Sequence, residues 1–175
     1  INAIINGDIH TANQKAAGLE SRDQAKTFIY ALIYGAGDAK LGSVVGGNRE
    51  SGKRLREQFL NNNPSFKTLR EKVQRASGKH WLKGIDGRKL LIRTQHAALN
   101  TLLQGGGAIV MKRGLAMLDS LISLNTFDAK FVANIHDEWQ MEVREDIAEN
   151  VGRLAVDCII KAGEYYNLRC PMDGE

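Results

Sequence analysis

The segment SRDQAKTFIYALIYG, Ser21 to Gly35, places Arg22, Lys26, Tyr30 and Tyr34 at successive four-residue intervals. Four residues advance an α-helix by slightly more than one turn, so on a helix these two cations and two phenols form a nearly straight stripe. Ala25, Ile29, Leu32 and Ile33 fall on another face and give the helix an apolar side to bury, while Ser21 with Gln24 forms a capping box at its start. The pattern predicts a well-started, anchored helix with the stripe left outside. Two positive heads followed by two aromatic rings suit a ligand with a polyphosphate at one end and a sugar and base at the other, which describes a nucleoside triphosphate. An ordinary solvated polar face has the same spacing, and the rest of the chain decides between the two.

A second constellation lies far downstream. In FVANIHDEWQMEV, Phe131 to Val143, the residues His136, Asp137 and Glu138 stand between two β-prone runs containing Val132, Ile135, Trp139, Met141 and Val143. The segment predicts a hairpin with adjacent carboxylates at its tip. Turns are often acidic because Asp tolerates turn geometry. Here, however, the acids interrupt an otherwise apolar hairpin, where carboxylates without a cation are costly.

Together the two segments resemble the C-terminal half of the family A DNA polymerases, the DNA polymerase I-like enzymes, and most closely their phage replicative branch. The resemblance runs essentially from end to end. It implies that the stripe lies on the fingers helix that receives the incoming deoxynucleoside triphosphate (dNTP), and that the hairpin is a palm motif carrying catalytic carboxylates. A third motif stands between them in the family's order: His96, Asn100 and Gln104 in RTQHAALNTLLQG, again four residues apart. Its counterpart touches the minor groove and backbone of primer-template DNA. Amides suit that role, because they reach the acceptors that every base pair presents there and check shape without reading sequence. A polar stripe on a buried helix is the ordinary alternative for the same residues. His10, in NGDIHT, stands twelve residues before Arg22, the offset of a triphosphate-contacting histidine in the phage enzymes. By the same resemblance His136 joins the DNA-binding residues.

The implied chemistry is attack of a primer 3′-hydroxyl on the α-phosphate of the dNTP, with two Mg2+ ions stabilising the attacking and leaving oxygens. In those terms Asp137 is a metal ligand and Glu138 a supporting carboxylate beside it. Arg22 grips the terminal phosphates, and Lys26 neutralises developing charge and gives a proton to the leaving pyrophosphate. Tyr30 packs beside the sugar, with Tyr34 continuing the nucleotide-binding stripe. The family's other catalytic aspartate belongs to a palm motif that would lie upstream of Ile1, as would the thumb and any exonuclease. The resemblance therefore gives this chain only part of the two-metal site and makes an upstream polymerase portion its partner. The first residue is Ile rather than Met; a piece of a longer protein, a processed product and one half of a split polymerase all fit. The expectation is a nucleotidyltransferase that is inactive as this isolated chain. Of the competing classes, a non-catalytic DNA-binding subunit leaves Asp137 and Glu138 without a purpose, and a kinase or ATPase would need a Gly-x-x-x-x-Gly-Lys-Ser/Thr loop that is missing.

Composition agrees with this reading. A chain of 175 residues with 43% hydrophobic content fits a globular protein with a real core. A net charge of +4 permits a nucleic-acid partner without requiring one. Cys158 and Cys170 are too few and too far apart for a metal knuckle or a disulfide framework, and reduced thiols are the default in the cytoplasm. No apolar run approaches membrane-spanning length. The expectation is a cytoplasmic protein, in the host cytoplasm if phage-encoded, with no membrane partner.

The organisation reads as α+β and mostly helical: fingers helices over residues 1–80, then a palm portion over 81–175 holding part of an antiparallel sheet, with the His-Asp-Glu hairpin at 131–143. Gly35, Gly37, Gly42, Gly46 and Gly47 break the chain into short helical pieces, and a basic helix resumes from Ser51 to Asn61. Asn63-Pro64 reads as an N-cap and first residue of a helix to Ala76, with Phe66, Leu69 and Val73 inward. Asp86-Gly87 predicts a hairpin between Trp81-Leu82 and Leu90-Leu91-Ile92. A long helix follows from Gln95 to Leu124, in which Gly105, Gly106 and Gly107 leave room for bound DNA or a neighbouring helix. A last amphipathic helix spans Asp146 to Gly163, burying Ile147, Val151, Leu154, Cys158 and Ile159.

Overall fold

The described chain, residues 7–174 of a computed structural model, is α+β and mostly helical, with two small antiparallel sheets. Residues 1–6 and 175, at the outer ends of the two portions expected above, lie outside the described residues. The described residues divide into two compact units. One holds the chain up to Gly84 together with Lys89–Leu103, and the other holds Ile85–Arg88 together with the chain from Gln104 onward.

In the first unit, α1 (Ile9–Ala17) starts on Asp8, whose carboxylate accepts the His10 amide at 3.0 Å. The capping box at Ser21 forms as predicted and opens α2 (Arg22–Ile33): the Ser21 hydroxyl accepts from the Gln24 amide at 3.2 Å, and Gln24 Oε1 accepts from the Ser21 amide at 3.3 Å. The buried face of α2 is Ala25, Phe28, Ile29 and Leu32, while Ile33 is only half-buried. Phe28 replaces Ile33 in the expected set because it lies three residues after Ala25 and four before Leu32, in the middle of the core stripe. Its ring meets Phe59 edge-on at 5.5 Å, and Phe59 meets Phe66 in the same way at 5.8 Å.

Three further helices follow: α3 (Asp38–Ser43), α4 (Arg49–Asn62) and α5 (Pro64–Ala76). The basic helix α4 begins two residues earlier than Ser51, since the Asn48 side chain caps it by accepting from the amides of Glu50 and Ser51. Pro64 is the first residue of α5, as expected. Asn63 does not cap it through its side chain, because that amide instead donates to the Phe59 carbonyl at 2.9 Å. The Asp86-Gly87 turn joins β1 (Trp81–Lys83) to β2 (Lys89–Leu91) in antiparallel register. Leu82 and Ile92 bury against Val73, Ala98 and Leu99, with Phe66, Leu69 and Leu90 packed around them.

The long helix is divided: a 3₁₀ turn at Gln95–Ala97 precedes α6 (Ala98–Leu124). In the second unit, β3 (Ala129–Ile135) and β4 (Glu138–Val143) form the expected hairpin, followed by a 3₁₀ turn at Glu145–Ile147 and then α7 (Ala148–Tyr165). The last helix thus starts two residues later than Asp146 and continues past Gly163. Leu118, Ile122 and Cys158 form the buried centre, with Phe131, Trp139, Met141 and Leu154 against them. Gly114 lets the indole lie on α6: a Cβ there would stand 2.9 Å from Trp139 Cη2.

Candidate functional site

His10, Arg22, Lys26, Tyr30 and Tyr34 all belong to the first unit. Tyr34 is the C-cap residue of α2, and its amide donates to the Tyr30 carbonyl at 2.9 Å, so the stripe continues to its last member. Tyr30 and Tyr34 are 47% and 53% exposed, two large rings in the open on a helix whose other side is buried. His10, on the first turn of α1, brings its ring to 6.3 Å from that of Tyr30, and its Nδ1 is buried with no hydrogen-bond partner among the described residues. Lys26 is exposed and, among the described residues, has no carboxylate within 4 Å.

Arg22 is held by Asp8. Its Nε donates to Asp8 Oδ2 at 2.5 Å and its Nη2 to Oδ1 at 3.3 Å, while the same carboxylate accepts the Thr11 hydroxyl at 2.8 Å and the His10 amide. The hydrogen bond from Arg22, then that from Thr11, holds the Asp8 carboxyl far below the usual carboxylate range; the same bond raises the Arg22 guanidinium. The pair is exposed to water, where an ion pair is weak and a phosphate competes readily for the guanidinium. The motif did not point to Asp8, because fourteen residues separate it from Arg22. Its cap position immediately before the His10 helix was the available signal.

His96 lies in the 3₁₀ turn before α6, exposed, with Nε2 3.4 Å from Thr94 Oγ1. Only Asn100 and Gln104 therefore share true α-helical spacing, and the three-residue row expected from the sequence is bent at its first member. The Asn100 Oδ1 is buried with no hydrogen-bond partner among the described residues, and Gln104 is exposed. A Cβ at Gly106 or Gly107 would meet nothing within 4 Å, so among the described residues no helix presses on that side. The space is open.

The second unit carries the acidic tip. His136 and Asp137 form the turn, with His136 in the left-handed region at φ 54°, and Glu138 is the first residue of β4, paired with Ile135. Between Phe131 and Ala133 the register slips by one, leaving Val132 as an extra residue, 67% exposed. Such a bulge increases twist and bends the strand, so it re-aims the tip relative to the part of the hairpin that packs on the core. Asp137 and Glu138 are exposed, with no cation within 4 Å among the described residues. Glu138 accepts a 2.7 Å hydrogen bond from Gln140 Nε2, an orienting contact that the motif did not reveal. Both acids border a cavity of about 680 Å3 whose other walls include Trp139, Met141, Val151 and Met172.

Acidic oxygens are the donors a hard divalent cation takes, but such an ion needs more of them than one pair. Among the described residues no group of three or more His, Cys, Asp or Glu is arranged to hold a metal. The tip fits one side of a metal site. Likewise, among the described residues no helix is long and apolar enough to cross a membrane.

A model of DNA polymerase family A matches residues 3–175. The chain is 42% identical, over 98% of its length, to a DNA-directed DNA polymerase of Enterobacteria phage T3, and 43% identical, over 97%, to one of Escherichia phage Phieco32. It spans 28% and 29% of the length of these two relatives. A DNA polymerase I of Aquifex aeolicus (strain VF5) is 32% identical over 89% of the chain and 29% of that protein. Among solved structures, the POL domain of Pol1 from M. smegmatis, in complex with DNA primer-template and dNTP, matches 98% of this chain and 34% of that one. The TM-score is 0.86 at 21% identity, a likeness of fold. With a family model covering nearly every residue, and phage and bacterial polymerases aligned along it, the chain belongs to DNA polymerase family A.

Proposed function

We propose that this chain supplies the nucleotide-binding fingers helix and one carboxylate pair of a DNA-directed DNA polymerase, acting on dNTP and primer-template together with a further polymerase portion. The observation that carries this reading is the unbroken exposed row of Arg22, Lys26, Tyr30 and Tyr34, with the His10 ring beside Tyr30, in a member of this family. Residues 1–80 are then the fingers portion and 81–175 the palm portion, so that the palm includes β1, β2 and the turn before α6, which fold within the first unit.

In this reading Arg22 exchanges the Asp8 carboxylate for the terminal phosphates, a substitution of one acidic partner for another. Lys26, with no carboxylate within 4 Å among the described residues, neutralises charge that develops on the phosphates and gives the leaving pyrophosphate a proton from Nζ. Tyr30 and Tyr34 flank the sugar and base. The amides of Asn100 and Gln104, with His96 and His136, meet primer-template. Asp137 would hold a divalent ion, with Glu138 supporting it. Mg2+, when bound, stabilises the attacking and leaving oxygens of nucleotidyl transfer. Both cysteines are free thiols, in keeping with a cytoplasmic protein, of the host cell if phage-encoded.

The test is reconstitution. The chain is combined with an upstream polymerase portion carrying the second palm aspartate, and primer extension is measured with and without Mg2+. Extension should require both components and the metal, and should be lost with Asp137→Asn. Extension that is indifferent to Asp137→Asn would make the chain a DNA-binding subunit without a catalytic carboxylate.

A further inference from the structure

The hairpin of β1 and β2 has one face committed to the core and another that the activity proposed above does not use. Leu82 is buried and Leu90 half-buried in the cluster around Val73 and Ile92. Alternation along each strand therefore puts Trp81, Lys83, Lys89 and Leu91 on the outward face. There Lys83 stands directly across from Lys89, and Trp81 directly across from Leu91. Lys89 Nζ lies 4.9 Å from the centre of the Trp81 ring, Leu91 is 77% exposed, and the exposed Lys79 and Arg93 flank the strands. Among the described residues none of these four cations has a carboxylate within 4 Å; Asp86, in the turn, is held by Arg88.

A hairpin that only packed on a core would not be built this way. Like charges directly opposite one another destabilise a sheet, and one glutamate in place of either lysine would turn repulsion into attraction. Leu91 adds apolar surface to water in the middle of the charges. A single-stranded nucleic acid resolves both features. Its phosphates neutralise the lysines, and an unpaired base stacks on the indole in the position Lys89 now takes, with Leu91 alongside. A duplex hides the faces of its bases and could not use Trp81.

We propose that the outward face of the β1–β2 hairpin binds a single-stranded nucleic-acid segment, with Trp81 as the stacking platform and Lys83, Lys89 and Arg93 on its phosphates.

The experiment measures the fluorescence anisotropy of a labelled oligothymidylate against this chain over a range of salt, with oligouridylate in parallel to tell DNA from RNA as the source. Replacing both lysines by Lys83→Gln and Lys89→Gln should lower the slope of log affinity against log salt by about 1.4, at ~0.7 for each single-strand phosphate contact. Trp81→Leu should weaken binding roughly five- to hundredfold, and Trp81→Phe, which keeps a ring, should recover most of the loss. Unchanged affinity and slope in the double-lysine variant would overturn the proposal. So would displacement of the oligonucleotide by oligoglutamate with Trp81→Leu binding normally, which would assign the face to an acidic protein segment. None of these residues belongs to the nucleotide stripe or the acidic tip. Loss of dNTP binding in Lys26→Ala with oligonucleotide binding retained therefore tests the polymerase reading separately from this one.

Discussion

Gly35 and His96 compete for one space: a side-chain carbon built on Gly35 would overlap the carbonyl oxygen of His96. Gly35 also sits at φ 81°, a backbone conformation that residues with a Cβ adopt at a cost. The contact seats the turn before α6 against the end of α2, within the first unit. Gly35→Ala meets both penalties together and should destabilise the unit by about 2–4 kcal/mol in chemical denaturation. A denaturation midpoint equal to wild type would mean that the turn can move aside freely.

The Asp8–Arg22 pair makes a prediction about acid. Hydrogen bonding to Arg22 depresses the Asp8 carboxyl, so the pair contributes stability above the unfolded carboxyl pKa of about 3.9 and loses it as pH falls through the lower folded value. An NMR titration should show Asp8 still ionised where other carboxyls are protonating. In Arg22→Gln its midpoint should rise toward the ordinary range, and superimposable titrations of the two proteins would show that the pair does not form in solution.

Lys26 is exposed and makes no ion pair among the described residues, so the fold gains little from its charge. Lys26→Ala should leave thermal unfolding within experimental error of wild type. In a reconstituted polymerase the same variant should slow nucleotide incorporation by roughly a hundredfold or more, the scale of a lost acid or charge clamp. A near-normal rate would remove Lys26 from the mechanism.

The two acids at the hairpin tip should separate. Asp137 makes no side-chain hydrogen bond among the described residues, whereas Glu138 is already engaged by Gln140. In the reconstituted enzyme Asp137→Asn should cost more activity than Glu138→Gln. Gln140→Leu should produce a smaller loss in the same direction as Glu138→Gln. Equal losses from the two acid substitutions would show that both carry the same duty.

Tyr30 leaves nearly half its surface in the open beside His10, which suits a ring that packs against a sugar. Its phenol oxygen can hydrogen-bond in the space left by a missing 3′-hydroxyl, an interaction of about 1–3 kcal/mol, or roughly ten- to hundredfold in selectivity. Tyr30→Phe should therefore discriminate more strongly against dideoxynucleotides in primer extension. If wild type and variant discriminate alike, the nucleotide does not lie along the stripe in this direction.

Features decided by neighbours along the chain were legible from the residues alone. The Ser21–Gln24 box, Pro64 at the head of α5, the Asp86-Gly87 turn and the hairpin turning beside Asp137 all follow from contacts spanning a few residues, although Glu138 lies in β4 and not at the tip with Asp137. What was not legible depends on partners brought together by folding. Asp8 finds Arg22 across fourteen positions, and the Gly35–His96 contact spans a greater separation still. The Asn63 amide turns away from its expected cap because the Phe59 carbonyl is offered to it. The bulge at Val132 has no glycine or proline to mark it; it is visible only as a slip in pairing. Phe28 was legible in principle, since its spacing from Ala25 and Leu32 places it squarely on the core stripe.

The row of Phe28, Phe59 and Phe66 sets how the first unit can move. Rings meeting edge to face interlock; tilting α2 or α5 against α4 breaks one such meeting, and tilting α4, which carries the middle ring, breaks both. Helices α2, α4 and α5 are therefore expected to move as a group. A ligand pulling on the outer side of α2 should then carry α4 and α5 with it, the bending falling to the connections outside the row. Amide hydrogens of the three helices should accordingly open in concert, with one shared exchange rate, whether the push comes from heat, from denaturant or from a molecule closing on the tyrosines.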